Sequence, residues 1–399
     1  MSNKKSSNNG WSTRAIHAGE NKRREHRPLI TPIYQTATFS FETCADLNDY
    51  YQGQPGAIAE YGRYGNPTRK AAEEKLASLE NAAECDVFPS GMSAIVNVLY
   101  FTLSPGDHLI FTSDNYRGTR KFIETYLSRL NIEFSIVPVD LESIQEAVTP
   151  KTKVIFTELP TNPFQFILDL SKLAELCKTR KILSVVDATL ASPYNINPLD
   201  FGIDLVTHSL TKYLSGHNDL ILGAVLGNDS EFMGELRKYH NLSGGHTDPQ
   251  ALYLLLRGLK TFPLRMERHN SSSLKIARWL QNRKNITAVH YPGLESHRDY
   301  ALASSQMRGF GGIISFEPGT TQKHAEDMCN ALEIIAIAAS LGGVESLVHP
   351  VRIMSFSDCN QEELKQYGIP ENLVRLAVGL EDADDLIQDL ETALQKAGL

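Results

Sequence analysis

Short apolar runs alternate with amphipathic stretches between residues 86 and 226. The runs are rich in Val, Ile, Leu and Phe and predict buried strands at 86–88, 108–111, 134–138, 153–156, 183–186, 204–207 and 220–225. Segments between them repeat apolar residues at helical spacing and predict helices at 93–103, 119–130 and 170–178. Strands alternating with helices indicate an α/β fold with a mostly parallel, doubly wound seven-stranded sheet.

The regions before residue 86 and after residue 226 do not continue this regular alternation of short strands and helices. Residues 13–51 contain Pro28 and Pro32 without a sustained period, which predicts an extended arm with a short helix, and a further helix is predicted at 69–81. A long connecting helix is predicted through Arg265 to Ala301. It leads into a smaller α+β unit with strands at 312–316 and 374–378 and helices at 323–332 and 383–396. We therefore predict an arm (1–60), an α/β domain (61–262) and a C-terminal α+β domain (263–399).

Composition narrows the class of protein. The chain has 399 residues, 42% of them hydrophobic, which is enough for a large core. Its net charge of -8 gives no basic field for nucleic acid or an anionic membrane, and no apolar run reaches membrane-spanning length. Five scattered cysteines without a Cys-x-x-Cys pair argue against a disulfide framework or a structural metal site. With its polar N-terminus, the chain is expected to be cytoplasmic.

Lys212 is the leading candidate for a reactive residue. It follows the predicted strand at 204–207, with the hydroxyl residues Ser209 and Thr211 before it and Gly216 after it. A partly desolvated lysine near other cations loses preference for the ammonium form, so it can attack an aldehyde and form a Schiff base. A short Ser-x-Thr-Lys pattern also fits an ordinary surface lysine.

Other polar residues follow neighbouring strands, at the sheet edge where ligands bind in such folds. Gly91 and Met92 open a helix whose free N–H groups form a phosphate cradle, although a plain strand-to-helix turn has the same pattern. Tyr116 offers an aromatic face, and Asn162, before a proline, is held extended. Asp187 ends a buried strand, where a carboxylate needs a cationic partner such as a protonated pyridine nitrogen.

Two arginines outside this set are also candidates. Arg63 lies with Tyr61 on a Gly- and Pro-rich loop that either binds an anion or only begins the next helix. Arg375 lies in an apolar strand and needs a carboxylate from the ligand or from a structural salt bridge. A nicotinamide-binding domain has a similar pattern of elements, but no Gly-x-Gly-x-x-Gly follows a strand here, so we reject that interpretation.

Taken together, the motifs resemble the Cys/Met-metabolism family of pyridoxal-5'-phosphate (PLP) enzymes, which includes cystathionine γ-synthases and γ-lyases. The resemblance runs from about Thr13 to the C-terminus. It rests on Tyr-Gly-Arg-Tyr-Gly-Asn-Pro-Thr (61–68), Ser-Gly-Met (90–92), Pro-Thr-Asn-Pro (160–163), Val-Asp (186–187), Ser-Leu-Thr-Lys-Tyr (209–213) with Gly-His-Asn-Asp (216–219), Ser-Leu-Gly-Gly-Val-Glu-Ser (340–346) and Leu-Val-Arg-Leu-Ala-Val-Gly-Leu-Glu-Asp (373–382).

The resemblance implies the aspartate-aminotransferase-like fold (fold type I), PLP as the cofactor, small amino acid substrates, and a homotetramer built from dimers with shared active sites. Lys212 would be the Schiff-base lysine, and Tyr116 and Tyr61 would join it in catalysis. The cofactor would be held by Asp187, Ser209, Thr211, Gly91, Met92, Tyr116 and Asn162, and by Tyr61 and Arg63 of the neighbouring subunit. The substrate would be held by Arg375, Ser340, Glu345 and Asn162.

Within the family, the blocks at 114–117, 240–245, 257–261, 354–357 and 366–369 look most like plant-type cystathionine γ-synthases. This resemblance implies γ-replacement on an activated homoserine ester by a thiol such as cysteine. Gly118 stands where a plant-type enzyme is expected to have lysine, and Leu159 and Ala188 also depart from the common pattern. γ-Elimination, a specialised γ-substituted substrate and a non-catalytic scaffold are the alternatives.

Overall fold

The large sheet contains the seven strands that the alternating pattern predicts. A computed structural model describes residues 9–20, 27–54 and 59–399. The strands are β1 (Glu84–Phe88), β2 (His108–Thr112), β3 (Glu133–Val137), β4 (Thr152–Glu158), β5 (Leu183–Asp187), β6 (Leu205–Ser209) and β7 (Gly223–Gly227). Their order across the sheet is β1-β7-β6-β5-β4-β2-β3, with β7 antiparallel to both neighbours and the remaining pairs parallel. The mostly parallel sheet is confirmed.

Helices cover both faces of this sheet, and most positions in its strands are accordingly buried. Leu109 and Phe111 pack into the cluster on one face, and Ile110 between them packs on the other, as the two-residue period of a strand requires. The α-helices that precede the C-terminal part of the chain are α1 (Trp11–His17), α2 (Cys44–Tyr51), α3 (Pro67–Glu80), α4 (Gly91–Thr102), α5 (Arg117–Phe122), α6 (Leu141–Glu146), α7 (Leu170–Arg180), α8 (Ser192–Asn195), α9 (Ser230–Leu242) and α10 (Pro249–Leu259).

The C-terminal part forms a second, smaller sheet, as predicted. Its strands are β8 (Ile286–His290), β9 (Ile313–Pro318), β10 (Ala336–Ile337), β11 (Leu347–Pro350) and β12 (Val374–Ala377), in the order β10-β11-β12-β9-β8. The helices are α11 (Phe262–Gln281), α12 (Tyr300–Gln306), α13 (Gln322–Asn330), α14 (Val351–Ser355), α15 (Gln361–Tyr367) and α16 (Ala383–Lys396). The domain boundaries remain a prediction.

One apolar cluster joins the two sheets. It contains Tyr213 and Leu214, which follow β6, together with Ile313 of β9 and Ala377 of β12. Its members are almost completely buried, so separating the two sheets would expose a large apolar area. Among the described residues, no helix has the length and apolar character needed to cross a membrane.

Three predicted elements were wrong in extent. The helix predicted to run through Arg265 to Ala301 is broken: α10 ends at Leu259, α11 begins at Phe262 with Pro263 in its first turn and ends at Gln281, and strand β8 follows. The helix predicted at 119–130 begins at Arg117 and continues as a π-helix (Ile123–Leu127) and a 3₁₀ turn (Ser128–Leu130). The strand predicted at 220–225 begins at Gly223.

Candidate active site

Lys212 lies in a single helical turn directly after β6. The turn is closed by hydrogen bonds from Lys212 N to Ser209 O (3.2 Å), from Ser215 N to Leu210 O (3.1 Å) and from Gly216 N to Lys212 O (2.8 Å). The Ser215 hydroxyl adds bonds to the carbonyls of Thr211 (3.1 Å) and Lys212 (3.2 Å). The backbone of the lysine is therefore fixed at the carboxyl edge of the sheet.

The Lys212 amine has the electrostatics of a nucleophile. Its Nζ donates to Ser340 Oγ at 2.7 Å, and no described carboxylate lies within 4.0 Å of it. Burial, with a smaller effect of the Arg375 charge, lowers the pKa of Lys212 to about 8. More of the amine is therefore neutral near neutral pH than in an exposed lysine, which is almost fully protonated.

Arg375 is a buried cation without a carboxylate partner among the described residues. Its Nη1 donates to Asn162 Oδ1 (3.3 Å) and its Nη2 to the carbonyl of Ser340 (3.1 Å), while its buried Nε has no partner there. The structural salt bridge that the sequence left open is thus absent from the described part of the chain. Ser340 binds Lys212 through its hydroxyl and Arg375 through its carbonyl, and it adopts a left-handed backbone with φ of 90°.

Asp187, at the end of β5, is buried and held by one residue. Thr189 donates to its Oδ1 from both the amide (3.0 Å) and the hydroxyl (2.5 Å), and no described residue donates to Oδ2. Burial raises the pKa of Asp187, while the bonds from Thr189 oppose that rise. The Thr189 hydroxyl also accepts from Ser209 N at 2.8 Å, so it ties Asp187 to the end of β6. Sequence reasoning missed Thr189.

The turn at Gly91 approaches Ser209 closely. A Cβ atom at Gly91 would lie 2.9 Å from Ser209 Cβ, so a larger residue would push the two strand ends apart. Gly91 begins α4, and no described residue accepts a hydrogen bond from the amides of Gly91 or Met92, so both N–H groups are available to an anion. The Thr211 hydroxyl, by contrast, exchanges long hydrogen bonds with the backbone of Leu222 (3.2 and 3.3 Å).

Tyr116 connects to Asp187 through Glu158. The Tyr116 amide donates to Glu158 Oε2 at 2.7 Å, and Glu158 of β4 is paired in register with Asp187 of β5. Burial, reinforced by the charge of Asp187, raises the pKa of Glu158 well above its usual range. The Tyr116 ring is half-exposed and folds back over Gly118, where a Cβ atom would lie 2.9 Å from the ring carbon Cζ.

Gly118→Ala is expected to displace the Tyr116 ring, because the methyl group would occupy its present position. If the ring stacks on a bound cofactor, we expect the cofactor dissociation constant to change by about threefold to tenfold, as a lost aromatic contact of roughly 1 kcal/mol would give. The measurement is equilibrium cofactor binding, with Tyr116→Ala as the reference. An unchanged dissociation constant in Gly118→Ala, beside a changed one in Tyr116→Ala, would contradict this.

The loop that carries Asn162 is fixed from both sheets. Asp114 accepts from Thr161 Oγ1 (2.5 Å) and from Phe164 N (3.3 Å), and burial raises the pKa of Asp114 to about 6. On the other side, Ser315 of β9 donates to the carbonyl of Pro163 at 2.7 Å. Asn162 therefore meets Arg375 where the two sheets face each other. Sequence reasoning missed Asp114 and Ser315 in this role.

Tyr61, Arg63 and Glu345 are predicted site residues that lie apart from this set, with no described hydrogen bond to it. Tyr61 and Arg63 line an open depression of about 500 Å³, with Thr38, Phe39, Phe41, Glu60 and Tyr64. Arg63 donates to the carbonyl of Asn241 at 2.6 Å, and Glu345 is exposed and accepts from Asn218 at 2.8 Å. Their predicted roles remain predictions.

Leu159 and Ala188 depart from the common family pattern, yet both side chains are fully buried. They belong to one apolar cluster between the large sheet and α7. Because they present no accessible surface, their side chains act in core packing and cannot touch a ligand in this conformation.

Comparisons with known proteins identify the family of this chain. Residues 12–395 match the family model described as Cys/Met metabolism PLP-dependent enzyme. The chain belongs to this family. PLP is therefore its cofactor, and its substrates are small amino acids.

Individual relatives of the enzyme carry different reaction names. It is 40% identical to a chloroplastic cystathionine gamma-synthase 1 of Nicotiana tabacum, covering 95% of this chain and 71% of that protein. It is also 40% identical to a cystathionine beta-lyase of Coxiella burnetii, covering 96% and 97%. The structure of cystathionine gamma-lyase from Lactobacillus plantarum complexed with L-serine superposes with a TM-score of 0.91 at 35% identity, covering 98% and 100%. Fold type I is confirmed.

The site residues of the enzyme fit PLP. The free Oδ2 of Asp187, the free amides of Gly91 and Met92 and the partly neutral amine of Lys212 match a pyridine nitrogen, a phosphate and an aldehyde, respectively. When bound, PLP supplies an electron sink for charge that develops at the substrate α-carbon. Everything else in the reaction depends on how the protein's side chains bind, orient and exchange protons.

Proposed function

We propose that the enzyme catalyses γ-replacement: an activated homoserine ester loses its γ-substituent and gains a thiol such as cysteine, giving cystathionine. The observation that carries the proposal is the chain of contacts from Lys212 through Ser340 to Arg375. It places a partly neutral amine near an unpaired guanidinium, as recognition of an α-amino acid requires. The choice of γ-replacement is supported by the plant-type motifs and by the tobacco γ-synthase relative.

Two side chains act directly on the substrate: Arg375 binds it, and Lys212 transfers protons. Arg375 binds the α-carboxylate, which supplies the negative partner that its buried charge lacks in the described part of the chain. Lys212 moves protons to and from the substrate carbons, because its pKa of about 8 lets it act as both base and acid near neutrality. Asn162 and Ser340 hold the guanidinium in place through the bonds described above.

Incubation of the purified enzyme with O-acetyl-, O-succinyl- and O-phosphohomoserine, each with and without cysteine, tests the proposal. We expect cystathionine by mass spectrometry with at least one ester, only when cysteine is present. The enzyme without ester, given cysteine alone, is the matched control. Absence of cystathionine with all three esters would overturn γ-replacement with cysteine.

γ-Elimination is the second candidate, because the enzyme is also 35% identical to a cystathionine gamma-lyase of Lactobacillus plantarum. Gly118 also offers no cation beside Tyr116 for a phosphorylated leaving group. In that case 2-oxobutyrate and ammonia appear without a thiol, and the same incubations reveal them. A specialised γ-substituted amino acid would be turned over where all three esters fail, whereas a non-catalytic scaffold would show no turnover at all.

We also propose a cytoplasmic homotetramer with shared sites, in which Tyr61 and Arg63 reach the phosphate of a neighbouring subunit. Support comes from their placement: both line an open depression, and Tyr61 and Tyr64 are about 40% exposed in a single chain (42% and 39%). Exposed tyrosines are common at subunit contacts. Sedimentation equilibrium tests the assembly, and a monomeric holoenzyme with full activity would contradict it.

A further inference from the structure

Arg265 is a buried arginine whose described partners are carbonyl and hydroxyl oxygens. It is 5% exposed, and no described carboxylate lies within 4.0 Å of it. Its Nη1 donates to the carbonyl of Tyr213 at 2.6 Å, and its Nη2 donates to the carbonyls of Gly258 (2.9 Å) and Leu214 (3.4 Å). Burial lowers the pKa of Arg265 to about 10.

This position is unfavourable for a cation in two respects. Burial removes water from a guanidinium that has no negative partner in the described structure. Arg265 also lies in the first turn of α11, where the positive end of the helix dipole repels a positive charge. An apolar residue would pack α11 here without this cost. The free energy that offsets burial of the charge must therefore come from the hydrogen bonds that Arg265 makes.

Those partners are the carbonyl ends of two helical segments. Gly258 is at the C-terminal end of α10, and Tyr213 and Leu214 end the turn that carries Lys212. Terminal carbonyls carry the negative end of the dipole. Those of Tyr213 and Leu214 accept no other described hydrogen bond, and that of Gly258 also accepts from Thr261 N at 3.3 Å. Arg265 therefore joins the Lys212 turn to the end of α10 by capping both.

Two glycines make room for this contact. A Cβ atom at Gly216 would overlap the guanidinium of Arg265, and one at Gly258 would overlap the carbonyl of Ser215. Gly216 also has φ of 73°, in the left-handed region. The approach of Arg265 to the turn thus explains why a glycine stands at position 216, four residues after Lys212.

We propose that Arg265 is a positioning residue for Lys212: it fixes the backbone of the turn so that the amine returns to one place while it exchanges protons with the substrate. The inference rests on the anchoring and proton-transfer role proposed for Lys212, but not on which γ-substituted amino acid is used. Lys212 N and O are bonded within the turn that Arg265 caps, so movement of that turn moves the lysine directly.

Holoenzymes with Arg265→Met and Arg265→Lys test this proposal. We measure kcat and KM with whichever amino acid the wild type turns over, and the pH at the midpoint of the absorbance change of the lysine-bound cofactor. Arg265→Met is expected to lower kcat by about 10- to 100-fold with KM little changed, because small misplacements of a catalytic group have effects of this size. The absorbance midpoint should shift, and Arg265→Lys should recover part of both.

The matched control is Arg14, which is 7% exposed and binds Ser78 O (2.5 Å) and Asn81 Oδ1 (2.7 Å) far along the chain from Lys212. Whatever their effect on the melting temperature, Arg14→Met and Arg14→Lys should not move the absorbance midpoint. If Arg265→Met does not fold, Gly216→Ala decides, because it keeps the arginine but pushes the guanidinium off the turn.

The proposal is overturned if the Arg265 variant that folds, or Gly216→Ala, leaves kcat and the midpoint at wild-type values. Because the midpoint is read on the cofactor bound to Lys212, a shift supports the positioning role even if the enzyme proves to be a lyase. Absence of a lysine-bound cofactor in the wild type itself would instead refute the anchoring role proposed for Lys212.

Discussion

Replacing Lys212 with alanine is expected to abolish turnover, with a loss of at least about 10⁴-fold. Acid–base transfer by a positioned side chain alone contributes roughly 10²- to 10⁴-fold, and Lys212→Ala also removes the covalent anchor of the cofactor. The visible absorbance of the lysine-bound cofactor should disappear. PLP can still occupy the site, because the amides of Gly91 and Met92 and the carboxylate of Asp187 are unchanged.

The measurement is an absorbance spectrum together with single-turnover kinetics. Lys153→Ala is the matched control, since Lys153 is an exposed lysine in β4 of the same sheet. That variant should keep the wild-type spectrum and rate. A Lys212→Ala protein with an unchanged cofactor spectrum would refute the anchor assignment.

Arg375→Ala is expected to raise KM for the amino acid by about 30- to 4000-fold while the cofactor stays bound. Loss of one partner of a buried, charge-assisted pair costs roughly 2–5 kcal/mol, and each 1.4 kcal/mol is tenfold in affinity. Arg375→Lys should recover little, because an ammonium cannot bind a carboxylate with two parallel N–H groups. Unchanged apparent affinity would remove Arg375 from the carboxylate site.

Replacing Arg375 should impair substrate binding but should not lower the stability of the fold. Arg375 has no described carboxylate partner, so Arg375→Met should leave the melting temperature equal or higher. The matched comparison is Arg69, also buried, which pairs with Glu73 at 2.7 Å and with Asp86. Arg69→Met removes the nearest cation from those carboxylates and leaves them the longer contacts with Arg237 (3.2 and 3.8 Å), so it should cost about 3–5 kcal/mol of unfolding free energy. Equal destabilisation by the two changes would show that Arg375 is a structural residue.

The parallel sheet explains why much of the site could be predicted from sequence. Lys212, Asp187 and Asn162 each follow a recognisable apolar strand, and parallel strands bring their carboxyl ends to one edge. Arg375 was recognisable because a charged residue interrupts an apolar run. These arguments use only local pattern and one general rule about sheets.

The supporting residues could not be predicted in the same way. Thr189, Asp114 and Ser315 act through contacts that only the folded chain creates, and their residue types are common in loops and strands. The predicted continuous helix to Ala301 failed because its apolar spacing continues across the break at Pro263, where a new helix begins. The restriction at Gly118 is likewise invisible until the Tyr116 ring is placed over it.

The apolar cluster shared by the two sheets has a consequence for what the enzyme can distinguish. Tyr213 and Ala377 pack in one cluster. Lys212 directly precedes Tyr213, and Arg375 lies two residues before Ala377 on the same strand, so we expect the distance between Lys212 and Arg375 to stay nearly constant. If Arg375 binds the α-carboxylate as proposed, that separation spans only the α-amino and α-carboxylate groups, which every amino acid has in common. This separation therefore selects for amino acids as a class and does not select one amino acid over another. We therefore expect discrimination among side chains to come from other surfaces of the site, such as those around Tyr116 and Gly118, which can vary between relatives without changing that separation.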